Sequence, residues 1–207
     1  MYEGYAANLL TLAALYSITC MSPGPDFVNV TSHALSARKS GIFAAAGVAL
    51  GCSVWSTAAV VGLDFLALKQ ASFTHIIRVC GVLYLVYLGA TLLLGAIRPK
   101  PAAIELRAIS SSDWASLRRG FTTDMTNPTL VIFFGSLFAT VLPVDAPLWV
   151  RFTSILIITF IAGAWHLAVA ILFSARPART IYRKLRRPID AVLGSLLIVL
   201  AVRLAVR

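Results

Sequence analysis

The chain has 207 residues, 59% of them hydrophobic and only 13% charged, with a formal net charge of +10 and a mean hydropathy of +0.86. Soluble domains are nearer half apolar and a quarter charged, so a soluble globular fold is excluded and an integral membrane protein is expected. Nucleic acid is not expected as a partner despite the basic balance, because the Lys and Arg lie between apolar runs with no aromatic–basic motif.

Six apolar runs predict six transmembrane helices, at about 6–37, 41–63, 74–97, 119–142, 147–174 and 189–206. Each run is continuous rather than alternating, which favours helices over barrel strands. No positively charged segment precedes the first run, so it is expected to remain as a span. It is interrupted by Ser22-Pro23-Gly24-Pro25-Asp26. Two prolines remove two backbone donors and Gly24 permits unusual dihedrals, which breaks the helical ladder. Such a break survives in a bilayer only where protein or a water-filled cavity satisfies the freed carbonyls.

After the break, Asp26, Asn29, His33 and Ser36 fall on one helical face. An ionisable residue at membrane depth usually faces a pathway; the competing role for Asp26 is a cap on the restarting helix. His33 suits proton coupling, but its place near the span end also fits an interfacial histidine. A loop with Arg38 and Lys39 leads to the second span, where Gly41, Gly47 and Gly51 predict close helix packing. Arg78, in the third span, is expected to snorkel. The long connection 98–118 holds Pro99, Pro101 and serines 110–112, with Asp113 expected to cap a short interfacial helix carrying Trp114 and Leu117.

The fourth span contains Asp124-Met125-Thr126-Asn127-Pro128, a second proline break with Asp124 and Asn127 three apart on one face. Asp124 either lines a site or snorkels to the surface. Trp165 and His166 in the fifth span divide between packing and lining a cavity. Asp190 is expected at the amino end of the sixth span, where the helix dipole favours a carboxylate. Cys20, Cys52 and Cys80 read as small buried apolar residues.

Arg38 and Lys39, then Arg98, Lys100, Arg107, Arg118 and Arg119, then Arg176, Arg179, Arg183, Lys184, Arg186 and Arg187 occupy three connections on one side of a six-span chain. They are thirteen of the 18 Lys and Arg. The positive-inside rule then places these connections in the cytoplasm and both termini outside.

Ser22-Pro23 matches Asn127-Pro128, and Leu88-Gly89-Ala90-Thr91-Leu92-Leu93 matches Leu193-Gly194-Ser195-Leu196-Leu197-Ile198, both at a spacing of 105. The halves, about 1–98 and 113–207 of one domain, would each hold three spans. An odd number inverts one half relative to the other, an architecture of secondary transporters. Pro23 lies 15 residues above Arg38, or about 22 Å. Pro128 lies 9 residues above Arg119, or about 14 Å. Both breaks therefore fall near the middle of a core roughly 30 Å thick, which points to a midplane site.

In Ser22-Pro23-Gly24-Pro25-Asp26, Arg38-Lys39 and the Gly-rich second span, the sequence resembles the LysE/RhtB family of amino-acid exporters. Gly120-Phe121-Thr122, Asn127-Pro128, Phe133-Phe134, Leu142-Pro143, Ile189-Asp190, Gly194 and Arg203-Leu204 extend the resemblance over nearly the whole chain. It implies a multi-pass carrier of the bacterial inner membrane, not an enzyme, that expels small amino acids such as threonine, homoserine, lysine or arginine. Protons are the implied coupling ion and no cofactor is implied. The candidate substrate or coupling residues, read from the two breaks and the polar groups near them, are Ser22, Pro23, Gly24, Pro25, Asp26, Asn29, His33, Asp124, Asn127, Pro128, Trp165 and His166. The family commonly has Asn in place of Asp124 and Lys in place of Thr129, a shift toward negative charge. Its late span-six glycines are Val199 and Ala201 here. Oligomerisation is left open. Two rivals remain. A divalent-metal exporter would use Asp26, His33, Asp124 and His166. A membrane electron carrier needs a cysteine at each break, but the counterpart of Cys20 is Met125.

Overall fold

The computed structural model describes residues 2–22, 24–67, 71–97, 108–109 and 111–205, without the side chains of 2–3, 63–67, 71–78, 81, 128 and 176–186. Pro23, the basic residues Arg98, Lys100 and Arg107, and the side chains of Arg78 and of Arg176 to Arg186 thus lie outside the described parts. Among the described residues all regular structure is helical: α1 Tyr2–Cys20, α2 Pro25–Ser36, α3 Arg38–Ala67, α4 Ala71–Ile97, α5 Asp113–Met125, α6 Pro128–Val141, α7 Leu148–Phe173 and α8 Arg176–Ala205.

Among the described residues three stretches are long and apolar enough to cross a membrane, Arg38–Gly62, Leu148–Phe173 and Arg187–Ala205. The pair α1 and α2 makes a fourth if it is one span bent by 58°. Val82–Ile97 and Thr129–Val141 are shorter apolar helices. Leu10, Leu83, Leu148 and Phe160 are exposed on the outer surface, as lipid-covered positions are in a membrane protein.

Helix α3 is central, packing on α2, α5, α6 and α7, while α4 packs on α6 and α8 and α1 packs on α6, α7 and α8. Glycines set the close crossings. A Cβ on Gly47 would strike the Leu117 carbonyl, and one on Gly120 would strike the Ala44 carbonyl, so α3 and α5 meet backbone to backbone. At the α4–α8 crossing, a Cβ on Gly89 would stand 2.9 Å from the Gly194 carbonyl oxygen, and one on Gly194 would stand 2.7 Å from that of Gly89. Tyr16, Phe133 and Phe134 form an aromatic cluster, with ring centroids 5.8 Å apart for Tyr16–Phe134 and 5.4 Å for Phe133–Phe134.

Several expectations are corrected. Arg38 and Lys39 do not form a loop: they open α3, and Ala37 alone, extended at φ −153°, separates it from α2. Lys39 at this helix start pairs with Asp113 at 2.7 Å. Asp113 is not a cap, because the Ser112 side chain accepts from Ala115 N–H at 3.3 Å and fills that role. The helix that follows, α5, carries Trp114 and Leu117 and runs on to Met125, just before the second break. The sixth span is preceded by helix rather than loop, since α8 starts at Arg176 and passes through Pro188. Asp190 is therefore mid-helix and buried, not at an amino terminus. Cys80 is exposed rather than buried.

Candidate functional site

The two interruptions of the apolar runs converge. Helix α1 stops at Cys20, and α2 restarts at Pro25 behind the extended residue Gly24. Pro25 takes the first helical position, where its missing N–H costs nothing and its fixed φ suits the helix. No side chain caps α2, so Asp26 lies in its first turn without acting as a cap. Helix α6 restarts at Pro128 in the same way, but Asn127 caps it, its Oδ1 accepting from Thr129 N–H at 3.1 Å. The break at Thr126–Asn127 also separates Asp124 from Asn127, which therefore do not share one helical face.

A cavity of about 120 Å³ lies between the breaks. That volume holds several waters or one small solute. Ser22, Gly24, Pro25, Asp26 and Phe27 line it from the first break, and Asn127, Thr129, Leu130 and Phe133 from the second. Tyr16, Thr19 and Cys20 of α1, Cys52 of α3, Leu88 of α4 and His166 of α7 complete the wall. Asp26 and Asn127 line the cavity from the two breaks, and Asp26 Oδ1 is buried without a hydrogen-bond partner. His166 is buried, with Nδ1 2.9 Å from the Ala162 carbonyl. That carbonyl can only accept, so Nδ1 carries the proton and Nε2 is the acceptor.

Asp124 sits one layer behind the wall. It is fully buried, not snorkelled, and occupies the space a side chain at Gly51 would take. Its Oδ1 accepts from the Cys52 thiol at 3.3 Å, and Cys52 accepts from the Tyr16 hydroxyl at 3.1 Å. Trp55 Nε1 donates to the Asp124 backbone carbonyl at 3.3 Å.

Other expected site residues fall elsewhere. Asn29 donates to Thr123 Oγ1 at 2.6 Å and to the Arg119 carbonyl at 3.2 Å, tying α2 to α5. It lines a second, open cavity of about 540 Å³ with Gly24, Pro25, Ser32, Ile109 and Thr123. His33 is fully buried, with Nδ1 2.9 Å from the Asn29 carbonyl. It does not line the cavity between the breaks, and Ser36 is exposed. Trp165 packs against the core with its Nε1 buried. The wall also holds Tyr16, Thr19 and Cys52, which the sequence does not place among the site residues, together with Cys20 and Thr129, which it marks only for the electron-carrier rival and for a departure from the family. Thr19, Cys20 and Thr129 adjoin the breaks and were recoverable by proximity. Nothing in the sequence singles out Tyr16 or Cys52. Among the described residues no three His, Cys, Asp or Glu side chains gather as metal ligands, so Asp26, His33, Asp124 and His166 do not assemble the set a metal exporter needs.

The LysE type translocator family profile matches residues 17–207. The threonine efflux protein of Salmonella typhi is 34% identical over 188 residues, 90% of this chain and 91% of its own. The threonine efflux protein of Escherichia coli (strain K12) is 31% identical over 189 residues, 90% of this chain and 92% of its own. The leucine efflux protein of Klebsiella pneumoniae is 30% identical over 141 residues, 67% of this chain and 65% of its own. No solved structure matches the chain significantly. The chain belongs to the LysE type translocator family and is a membrane transporter rather than an enzyme.

Proposed function

We propose that this chain exports a small amino acid of about threonine size from the cell, in exchange for protons, through the cavity between the two helix breaks. One observation carries this reading: the uncapped amino end of α2 and the Asp26 carboxylate line the same small cavity. A helix amino terminus favours an anion, so the amides around Gly24 to Phe27 meet the substrate carboxylate. Asp26 meets the ammonium group, or the proton carried in return. Thr19, Asn127 and His166 offer hydrogen bonds to a polar side chain. Relatives named as threonine and leucine efflux proteins agree with a compact substrate. A basic amino acid is the second reading, favoured by Asp26 and by the absence of Lys and Arg from the described cavity wall.

Six spans in two inverted halves fit the same reading. Helices α1 and α5 end 105 residues apart, at Cys20 and Met125. Exchanging α1–α4 for α5–α8 turns the α3–α5 packing into α7–α1, α2–α7 into α6–α3, and α2–α5 into α6–α1, all of which occur, whereas among the described residues the α2–α3 and α4–α6 packings have no comparable counterpart. Gly89 and Gly194, again 105 apart, touch each other. A residue and its repeat counterpart touch only near the axis relating the halves. The location is the bacterial inner membrane with both termini outside. A cytoplasm-dependent reporter fused after Arg207 is expected to be silent, and activity there would overturn this topology.

The export reading is tested in cells loaded with threonine, leucine or lysine dipeptides. Expression of the chain is expected to raise release of one of these amino acids and leave metal tolerance unchanged. Unchanged amino-acid release with raised metal tolerance would overturn it.

A further inference from the structure

We propose that Asp124 is a sealed proton-holding site, reached from the cavity through the Tyr16 hydroxyl and the Cys52 thiol and separate from Asp26 on the wall. This inference rests on the export reading above. Tyr16 and Cys52 both line the cavity, yet Asp124 is fully enclosed behind them. The hydrogen bonds run one way: Tyr16 donates to Cys52 over 3.1 Å, and Cys52 donates to Asp124 Oδ1 over 3.3 Å. Asp124 Oδ2 is buried with no hydrogen-bond partner.

Among the described residues no cation faces Asp124. It is hydrogen bonded to Cys52 of α3 and interacts electrostatically with Tyr16 and Cys20 of α1 and with Asp26 of α2, while His166 of α7 lies 4.0 Å from Cys20. Arg118 and Arg119, on its own helix, are exposed. Trp55 holds the Asp124 backbone and not its charge. A buried carboxylate without a cation is costly in its charged form, and a proton relieves that cost.

The transfer balances. A hydronium in the cavity gives its proton to Tyr16 Oη as the hydroxyl proton of Tyr16 moves to Cys52 Sγ. The thiol proton of Cys52 moves to Asp124 Oδ1. Water is left in the cavity, and the carboxylate becomes a carboxylic acid. Release reverses each step. Asp26 and Asp124 interact electrostatically, so the proton on one site bears on whether the other keeps its charge. Substrate and proton thereby occupy neighbouring carboxylates and need not compete for one.

The test uses the purified full chain in proteoliposomes with labelled threonine, leucine and lysine. Counterflow without a gradient is compared with accumulation driven by a pH gradient. Asp124→Asn, behind the wall, is expected to keep counterflow near wild type and to lose gradient-driven accumulation by about a hundredfold or more, the scale of a lost proton-transfer group, and Cys52→Ala is expected to lose gradient-driven accumulation by a similar factor relative to its own counterflow. Cys52→Ser, which restores a donor and an acceptor, is expected to recover it. Full gradient-driven accumulation by Cys52→Ala overturns the relay. So does an equal loss of both activities in Cys52→Ala that Cys52→Ser does not repair, since that marks a packing role. A wild-type chain with no counterflow for any of the three amino acids overturns the export reading itself, and the relay with it.

Discussion

A single methyl group at Gly51 reaches Asp124 with the smallest possible change. A Cβ built there stands 2.8 Å from both Cβ and Cγ of Asp124, and nearer still to Oδ2. The Asp124 Cβ is fixed to the backbone of α5, so rotating the side chain does not clear the clash. Carbon pairs prefer about 3.5 Å or more, so α5 must retreat from α3 by roughly 0.7 Å. The same two helices are locked backbone to backbone at Gly47 and Gly120, which opposes that movement. Overpacking of this kind costs about 1–3 kcal/mol, which lowers the melting temperature of a chain this size by about 2–12 °C. Removing the obstruction with Asp124→Gly isolates the cause. In a double-mutant cycle, Gly51→Ala is expected to cost less by about 1 kcal/mol or more when Asp124 is already Gly. The assay is thermal unfolding of the detergent-purified protein by tryptophan fluorescence. Gly51→Ala melting at the wild-type temperature would refute the placement of Asp124 against Gly51, as would additive effects of the two substitutions.

Other substitutions probe the scaffold. Asn127→Ala removes the cap of α6 and is expected to lower stability by about 0.5–2 kcal/mol, read by the same unfolding assay. Gly194→Ala forces a methyl group against the Gly89 carbonyl and is expected to destabilise by about 1–3 kcal/mol, with Gly194→Leu worse. Lys39→Ala breaks an ion pair whose lysine is largely exposed, so a stability change of no more than about 1 kcal/mol is expected, shrinking as salt is added.

The breaks were legible because proline and glycine act locally: Pro25 and Pro128 both open helices, as their lost N–H requires. Asp26 and Asn127 were found for the same reason, since each adjoins a break. Asp124 was singled out correctly as unusual, but its burial depends on Gly51, 73 positions earlier, and no local pattern reveals that pairing. Asn29 and His33 share a helical face with Asp26, and the spacing grouped them correctly. That face, however, turns along α5 below the cavity, so the periodicity did not say which neighbour it meets. The cysteines were read as filler. For Cys52 this fails, because the thiol is a hydrogen-bond bridge built from α1, α3 and α5. The charged stretch 176–187 reads as a loop on composition, yet α8 is helical through it; Lys and Arg sustain a helix as readily as apolar residues.

The central claim is that Asp26 and the broken helices form the transport site, and labelled threonine leaving preloaded proteoliposomes tests it most directly. Efflux through the wild-type chain is expected, faster when the compartment receiving the threonine is the more acidic one, because protons then flow inward as substrate leaves. Asp26→Asn, inserted at the same level and with the same helix content, is expected to lose that acceleration and most of the efflux. Efflux by Asp26→Asn at the wild-type rate, with the wild-type response to the pH gradient, would contradict it.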